Sequence, residues 1–397
     1  MAPRRPTATA PDPTGGEQPA ASEGDLSEPA LSERALSERL AARFVAAGAE
    51  RVEAEILLPA DTLLDLYGED IRARAYITRD PARGEMMLRP DFTVPVVQRH
   101  MAGGAEPARY AYSGPVFRKQ DRLDPARPAE YHQAGIEIFR RDAPAATDAQ
   151  VFALIARALA EAGLAVRPVT GDIGILMAAV RGLDTTPARR AALLRHIWRP
   201  RRFRALLDRF AGRAPVPAAR LRLLDRLARG TPAALIAGAG TFTGLRTPDE
   251  IAARAAALIE DAATPPLAAP EAALLYDLLA LEAPARAALD HLRGIAPLLP
   301  AIAPAVDRFA ARLEALAAEG VDVASLPFEA SHGRTTLEYY DGFVFAFHAA
   351  DPALPPVASG GRYDALTAVL GQGRSIPAVG GVIRAGLVAR LQARGVA

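Results

Sequence analysis

From Leu31 the chain reads LSERALSERLAARFVAAG, with Leu36, Leu40 and Phe44 four apart, so one face of a predicted helix is apolar. Gly48 supplies its stop. The pattern then shortens. Between Val52 and Asp80 lie AEILLPADTLLDLYG and IRARAYITRD. In the second, Ile71, Ala73, Ala75 and Ile77 alternate with arginines and Tyr76, the period of a strand with one exposed face. EMMLRPDFT, RYAYSGPVFR and AEYHQAGIEIFR predict three more strands, the last with Ile136 and Ile138 flanking Glu137. A helix is predicted from Thr147, as its cap, to Gly163, with Val151, Leu154 and Leu159 apolar.

Between about Gly182 and Gly320 the texture changes to Ala/Leu/Arg helices broken by Pro and Gly. Strand residues return at Phe343 to Phe347, and ALTAVL and VIRAGLVARL read as closing helices. Strands, a helical block and strands again predict an α+β fold, an antiparallel sheet flanked by helices with a helical insertion. The expected divisions are a disordered tail at 1–30, a first core part at 31–181, the insertion at 182–320 and a second core part at 321–397. The tail is Pro, Ala, Thr, Glu and Gly without periodicity. No internal repeat is present.

Composition narrows the classes. Half of the 397 residues are hydrophobic, enough for a sizeable core. Lys and Arg total 47 against 46 Asp and Glu, a net +1 that offers no global field for nucleic acid or an anionic membrane. Lys119 is the one lysine. With no cysteine there are no disulfides, thiolate metal sites or cysteine nucleophiles. The histidines lack ligand spacing, so no metal or cofactor is expected. Without a secretory pattern or an apolar run long enough to span a bilayer, a cytoplasmic protein is expected.

Candidate chemistry concentrates in two segments. Leu88 to Phe139 holds LRPDFTVP, YSGPVFRKQ and EYHQAGIEIF; Leu337 to Gly381 holds LEYYDGFVF, ASGGRYDAL and PAVGG. Read as strand residues, Asp91 and Thr93 share one face, and so do Gln133 and Glu137. An acidic group among Ile136, Ile138 and Phe139 would cost several kcal/mol if buried unpaired, so it is expected to have partners. A free amino acid needs acceptors for its ammonium and donors for its carboxylate. GGRYD supports two readings, a tight glycine bend with a surface Arg362–Asp364 contact or a binding element. Tyr339 and Tyr340, if in a strand, face opposite ways, so at most one lines a pocket.

These segments resemble the catalytic core of histidyl-tRNA synthetase, a class II aminoacyl-tRNA synthetase, over roughly residues 36 to 395. Carried over by position, the resemblance places Asp91, Thr93 and Gln133 at the ammonium of bound histidine. Glu137 and Tyr340 fall at the imidazole, Tyr363 nearby, and Arg118 at the carboxylate. Arg118 and Arg127 of the second motif are possible nucleotide or anion contacts. Asp91 stands where the synthetase has the longer Glu.

Two departures matter. The synthetase neutralises charge at the α-phosphate of ATP with arginines, a term that usually dominates such catalysis. Thr335 takes the place of one in TTLEYY, and Leu387 of the other in RAGLVAR. Arg334, one residue earlier, would point to the other face unless a bulge turns it back. Arg384 would lie one helical turn behind Leu387. The chain also stops where an anticodon-binding domain would begin.

A synthetase-like core with these features resembles the ATP phosphoribosyltransferase regulatory subunits. That resemblance implies a non-catalytic subunit acting in the first step of histidine biosynthesis, with L-histidine as feedback effector. It also implies a homodimer through the core and a hetero-octamer with a short-form catalytic subunit. The alternative is a truncated synthetase-like enzyme that activates histidine with ATP. An RNA-binding module would need the RHIWRPRRFR run at 195–204 as a basic face, for which a solvated helix edge or a partner surface is the simpler reading. GAGTFTG at 238–244 reads as a turn, because no Lys-Ser/Thr follows.

Overall fold

Ser32 opens the first helix: its Oγ accepts the Ala35 N–H at 3.3 Å, and Glu33–Ala46 follows as predicted. Leu36, Leu40 and Phe44 are buried, and Gly48 leaves the helix with φ +90°. In this computed structural model residues 32–60, 73–120, 122, 124, 127–240, 244–334 and 339–395 are described. The tail, Ile71 and Thr335 lie outside them.

The strands are β1 (Glu50–Arg51), β2 (Leu57–Pro59), β3 (Ile77–Asp80), β4 (Gly84–Leu88), β5 (Ala108–Phe117), β6 (Glu130–Phe139), β7 (Arg167–Asp172), β8 (Glu282–Pro284), β9 (Pro327–Glu329), β10 (Phe343–His348), β11 (Ala358–Arg362) and β12 (Ala378–Arg384). Nine form one sheet in the order β1-β5-β6-β12-β11-β10-β7-β9-β8, and β2-β4-β3 form a second. The large sheet is antiparallel from β5 to β7, as expected. Parallel pairs appear only towards its edges, at β1/β5 and β7/β9. The α+β class holds.

The sheet's two faces part the side chains by period two. In β6, Ile136 and Ile138 turn to the core, while Gln133 and Glu137 share the opposite face. The helix Pro144–Glu161 covers the core face, where Phe152 meets Phe345 and Phe347. Residues 182–320 are mainly helical, and one apolar core runs through Leu193, Phe203, Leu275 and Leu289 into the sheet. The block also contributes β8 to the sheet edge, a strand its alanine-rich texture concealed.

Several elements differ from the periodicity. The strand predicted from Ile71 begins at Ile77, which is exposed, while Ala75 is buried. Thr147 sits inside its helix. The start is at Pro144, whose fixed φ suits a first turn, and Thr147 Oγ1 donates to the Ala143 carbonyl at 2.7 Å. VIRAGLVARL divides at Arg384: its first three residues complete β12, and Ala385–Ala393 is the helix. A strand buried on both faces has a continuous apolar run that period alone cannot tell from a helix. Thr93 opens the helix Thr93–Met101, so Asp91 and Thr93 meet through a turn rather than by strand alternation.

GGRYD forms no bend. Gly360 and Gly361 are extended within β11, and Arg362 is buried. Its guanidinium donates to Asp148 Oδ1 at 2.6 and 2.9 Å and to Asp364 at 3.0 Å. Asp148 also accepts Arg312 at 2.8 Å, and Arg312 donates to Asp172 at 2.8 Å. Buried charges of this kind persist only when paired. No helix among the described residues is long and apolar enough to cross a membrane.

Candidate functional site

Glu137 is the centre of the polar face. Its side chain has no exposed surface, and three hydroxyls donate to it: Thr93 at 2.8 Å, Tyr112 at 2.9 Å and Tyr363 at 2.5 Å. These are the partners a carboxylate among apolar neighbours requires. Burial still outweighs them and pushes its pKa up to about 7. The phenols of Tyr112 and Tyr363 are driven up by burial and then by the Glu137 charge.

Room for this cluster comes from glycine in the neighbouring strands. Gly380 pairs with Glu137 across the β12/β6 ladder, and a Cβ there would stand 1.5 Å from Glu137 Oε2. At Gly361 a Cβ would stand 2.7 Å from the Tyr340 ring.

Above this floor is a small cavity of about 40 Å³, lined by Asp91, Thr93, Arg118, Gln133, Tyr340 and Tyr363 among others. Six of the seven candidate residues thus come together. Glu137 is the seventh, set behind Thr93, Tyr363 and Gly380 and reaching the cavity through their contacts. Asp91 Oδ1 accepts the Val94 N–H at 3.4 Å. Gln133 is buried, and its Oε1 has no hydrogen-bond partner among the described residues, an acceptor awaiting a donor. Arg118 Nε donates to the Pro90 carbonyl at 2.9 Å.

Tyr339 and Tyr340 correct the strand reading. Both lie outside any strand and line the cavity, their rings 4.9 Å apart and edge-on. Asp341 follows, accepting the N–H groups of Asp364 (3.0 Å) and Ala365 (2.6 Å), which ties this wall to the segment carrying Tyr363. Burial raises Asp341 to about 7. Tyr112, Ser359 and Gly380 were not singled out from sequence, and Tyr339 was named beside Tyr340 without a place in the site. Only the double glycine of PAVGG and the alternation of Tyr110 and Tyr112 along β5 could have signalled them.

A larger cleft of about 880 Å³ adjoins, bordered by Arg74, Arg118, Arg127, Arg167, Arg384 and Arg390. Arg118, Pro356 and Arg384 border both spaces. Arg127 is an exposed rim residue 3.9 Å from Asp124. Leu387 also lines the cleft. Arg334 turns elsewhere: its guanidinium stacks 4.8 Å from the Phe203 ring, and Nε donates to the Ile197 carbonyl at 2.6 Å. Burial lowers it to about 10.

The remaining motifs stay structural. Phe203 is fully buried and Trp198 packs on the core, so the aromatics of the 195–204 run face inward beneath exposed Arg201, Arg202 and Arg204. A helix, Pro232–Ala237, leads into Gly238, which a phosphate loop would not have. No metal-binding group of three ligands occurs among the described residues.

A nine-stranded, largely antiparallel sheet with a polar pocket on one face defines a protein of the histidyl-tRNA synthetase-like class. The family model for histidyl-tRNA synthetase matches residues 25–281 and 247–385. A solved Bacillus halodurans structure, titled an ATP phosphoribosyltransferase regulatory subunit/histidyl-tRNA synthetase, superposes with TM-score 0.63 at 21% identity, over 94% of this chain and 84% of that one. A histidine–tRNA ligase subunit from Alicyclobacillus acidocaldarius gives 0.56 at 24% identity, over 97% and 100%.

Full-length relatives are more specific. The ATP phosphoribosyltransferase regulatory subunit of Rhizobium rhizogenes is 32% identical over 85% of this chain and 92% of its own length. That of Brucella anthropi is 35% identical over 84% and 90%. The chain belongs to the ATP phosphoribosyltransferase regulatory subunit family.

Proposed function

We propose that this chain is the non-catalytic, histidine-sensing subunit of an ATP phosphoribosyltransferase, supporting a catalytic subunit in the first step of histidine biosynthesis and carrying its feedback inhibition. The observation that carries the reading is the cavity's polarity. Asp91 and the unpartnered Gln133 Oε1 offer acceptors, and Arg118 offers donors, the complement of a free amino acid. The imidazole is assigned to Tyr340, which lines the cavity, and to Glu137 behind it, which Tyr363 holds.

A cavity of 40 Å³ holds about three waters, less than an amino acid needs. Histidine therefore enters by displacing the Tyr339–Tyr340 wall or by opening the border with the larger cleft. Such a displacement is what a sensor needs, because an effector shifts only an equilibrium whose states it binds unequally.

The same side chains support a subunit without activation chemistry. Arg334 is committed to Phe203 and Ile197, and Leu387 offers the cleft an apolar side chain. No observation favours a truncated histidine-activating enzyme. The expected assembly is a homodimer through the core, joined to a short-form catalytic subunit as a hetero-octamer. Reconstitution tests this: adding the chain should raise phosphoribosyl transfer by the catalytic subunit, and histidine should suppress that gain. Histidine-insensitive activity would refute the sensor role.

A further inference from the structure

The residues that line the small cavity differ in how firmly they are held. Gln133, Ser359, Gly380 and Val382 belong to β6, β11 and β12, which are paired along their length. Tyr339 and Tyr340 belong to no strand. Enlarging the cavity by parting the strands would break ladder hydrogen bonds, so the tyrosine wall is the side that gives.

Asp341 ties that wall down. Its N–H donates to the Arg362 carbonyl at 3.0 Å, and its carboxylate accepts the N–H groups of Asp364 at 3.0 Å and Ala365 at 2.6 Å. Three bonds from one residue thus lay the segment 339–341 along residues 361–365. Tyr340 rests there on Gly361, where a Cβ would stand 2.7 Å from the ring. Tyr339 adds an edge-on contact with the Tyr363 ring at 6.0 Å and a hydrogen bond with Thr93, so the segment also touches the residues that hold Glu137. The receiving end is fixed. Asp364 Oδ1 accepts Arg362 Nη1 at 3.0 Å and the Ala378 N–H at 2.9 Å, and Arg362 is buried against Asp148. One side of the contact is therefore built into the buried ion network, and the other is a short segment outside the sheet.

We propose that residues 339–341 form a strap that closes the pocket in the absence of ligand, with Asp341 as its clasp, and that histidine binding releases it. This rests on the amino-acid reading above. The bound arrangement then lacks bonds that the closed one has. The measured affinity for histidine is its intrinsic affinity reduced by the fraction of molecules in which the strap is open. Asp341 sets that fraction without touching the ligand. Weakening the clasp destabilises the fold yet tightens binding, opposite signs that a merely structural residue would not give.

Two variants break the clasp from opposite sides, and either one decides. Asp341→Asn keeps an acceptor for one N–H but removes the charge and sets its amide against the other. Ala365→Pro leaves Asp341 intact and deletes the N–H that it accepts, in the first turn of the helix Asp364–Leu370, where proline is tolerated. In calorimetric titration of the full chain with L-histidine, each should bind about threefold to tenfold more tightly than wild type, the scale of part of one hydrogen bond to a charged group. Urea unfolding should show each to be less stable. Arg334→Ala, destabilised away from the pocket, should keep wild-type affinity; tightening there too would mark a general effect of lost stability and overturn the proposal. Unchanged or weaker binding in a folded clasp variant would also overturn it, because the segment would then belong to the bound arrangement or play no part in it. No histidine binding by the wild type would refute the amino-acid reading itself, and the strap with it.

Discussion

Replacing Glu137 by Gln removes a fully buried carboxyl whose pKa burial raises to about 7. Raising it from 4.5 to about 7 corresponds to an order of 3 kcal/mol, at about 1.4 kcal/mol per pH unit. The sign follows from proton linkage. The folded protein keeps this proton to higher pH than the unfolded chain, so stability falls as pH rises between the two values. The contribution is fully present below the unfolded value, is lost as pH rises through about 7, and is flat above that. Gln carries no titrating proton. Its carbonyl, in the Oε1 position, still accepts from the Thr93 and Tyr112 hydroxyls, its amide NH2 replaces Oε2 beside the Tyr363 hydroxyl, and the cost of that exchange is independent of pH. Asp341 titrates in the same window, but in both proteins. Urea unfolding from about pH 5 to about pH 8 should therefore show wild type losing about 2–3 kcal/mol relative to Glu137→Gln. Parallel pH profiles would show that Glu137 is ionised across the range, and the burial argument would fail.

Other substitutions probe the same framework. Gly380→Ala puts a Cβ 1.5 Å from Glu137 Oε2 and 2.9 Å from the Ile136 carbonyl, so chemical denaturation should show a loss of at least about 1–3 kcal/mol, the scale of overpacking. Arg312→Met strands Asp148 and Asp172 without their shared partner; thermal melts should reveal a loss of about 3–5 kcal/mol. Arg334→Ala removes the stacking on Phe203 and the bond to Ile197. It should cost about 1–2 kcal/mol in denaturation and leave histidine affinity unchanged in calorimetry.

Much of the fold was readable because burial imposes period. Leu36, Leu40 and Phe44 mark a helix face, and Ile136 and Ile138 a strand face, as the sequence pattern requires. The signal fails where both sides are buried. Val379, Val382 and Ile383 form an apolar run in β12 that suits either element, so Arg384 was assigned to a helix and its place beside Gln133 was missed. It also fails where geometry is tertiary. Asp91 and Thr93 do converge, but through a turn into a helix that the strand-like LRPDFT conceals. The sequence left Arg362 between a surface contact and a binding element, because nothing local announces Asp148, more than two hundred positions away. Resemblance supplied the grouping of site residues; the glycine clearance at Gly380 and the unpartnered Gln133 acceptor emerge only in three dimensions.

Histidine-dependent exchange of pyrophosphate into ATP, run at a histidine concentration that calorimetry shows to be saturating, probes most directly whether the pocket senses its ligand or activates it. Exchange indistinguishable from the histidine-free blank is the expected result, since Arg334 is held by Phe203 and Leu387 presents an apolar side chain to the cleft. Exchange that rises with histidine occupancy would contradict it.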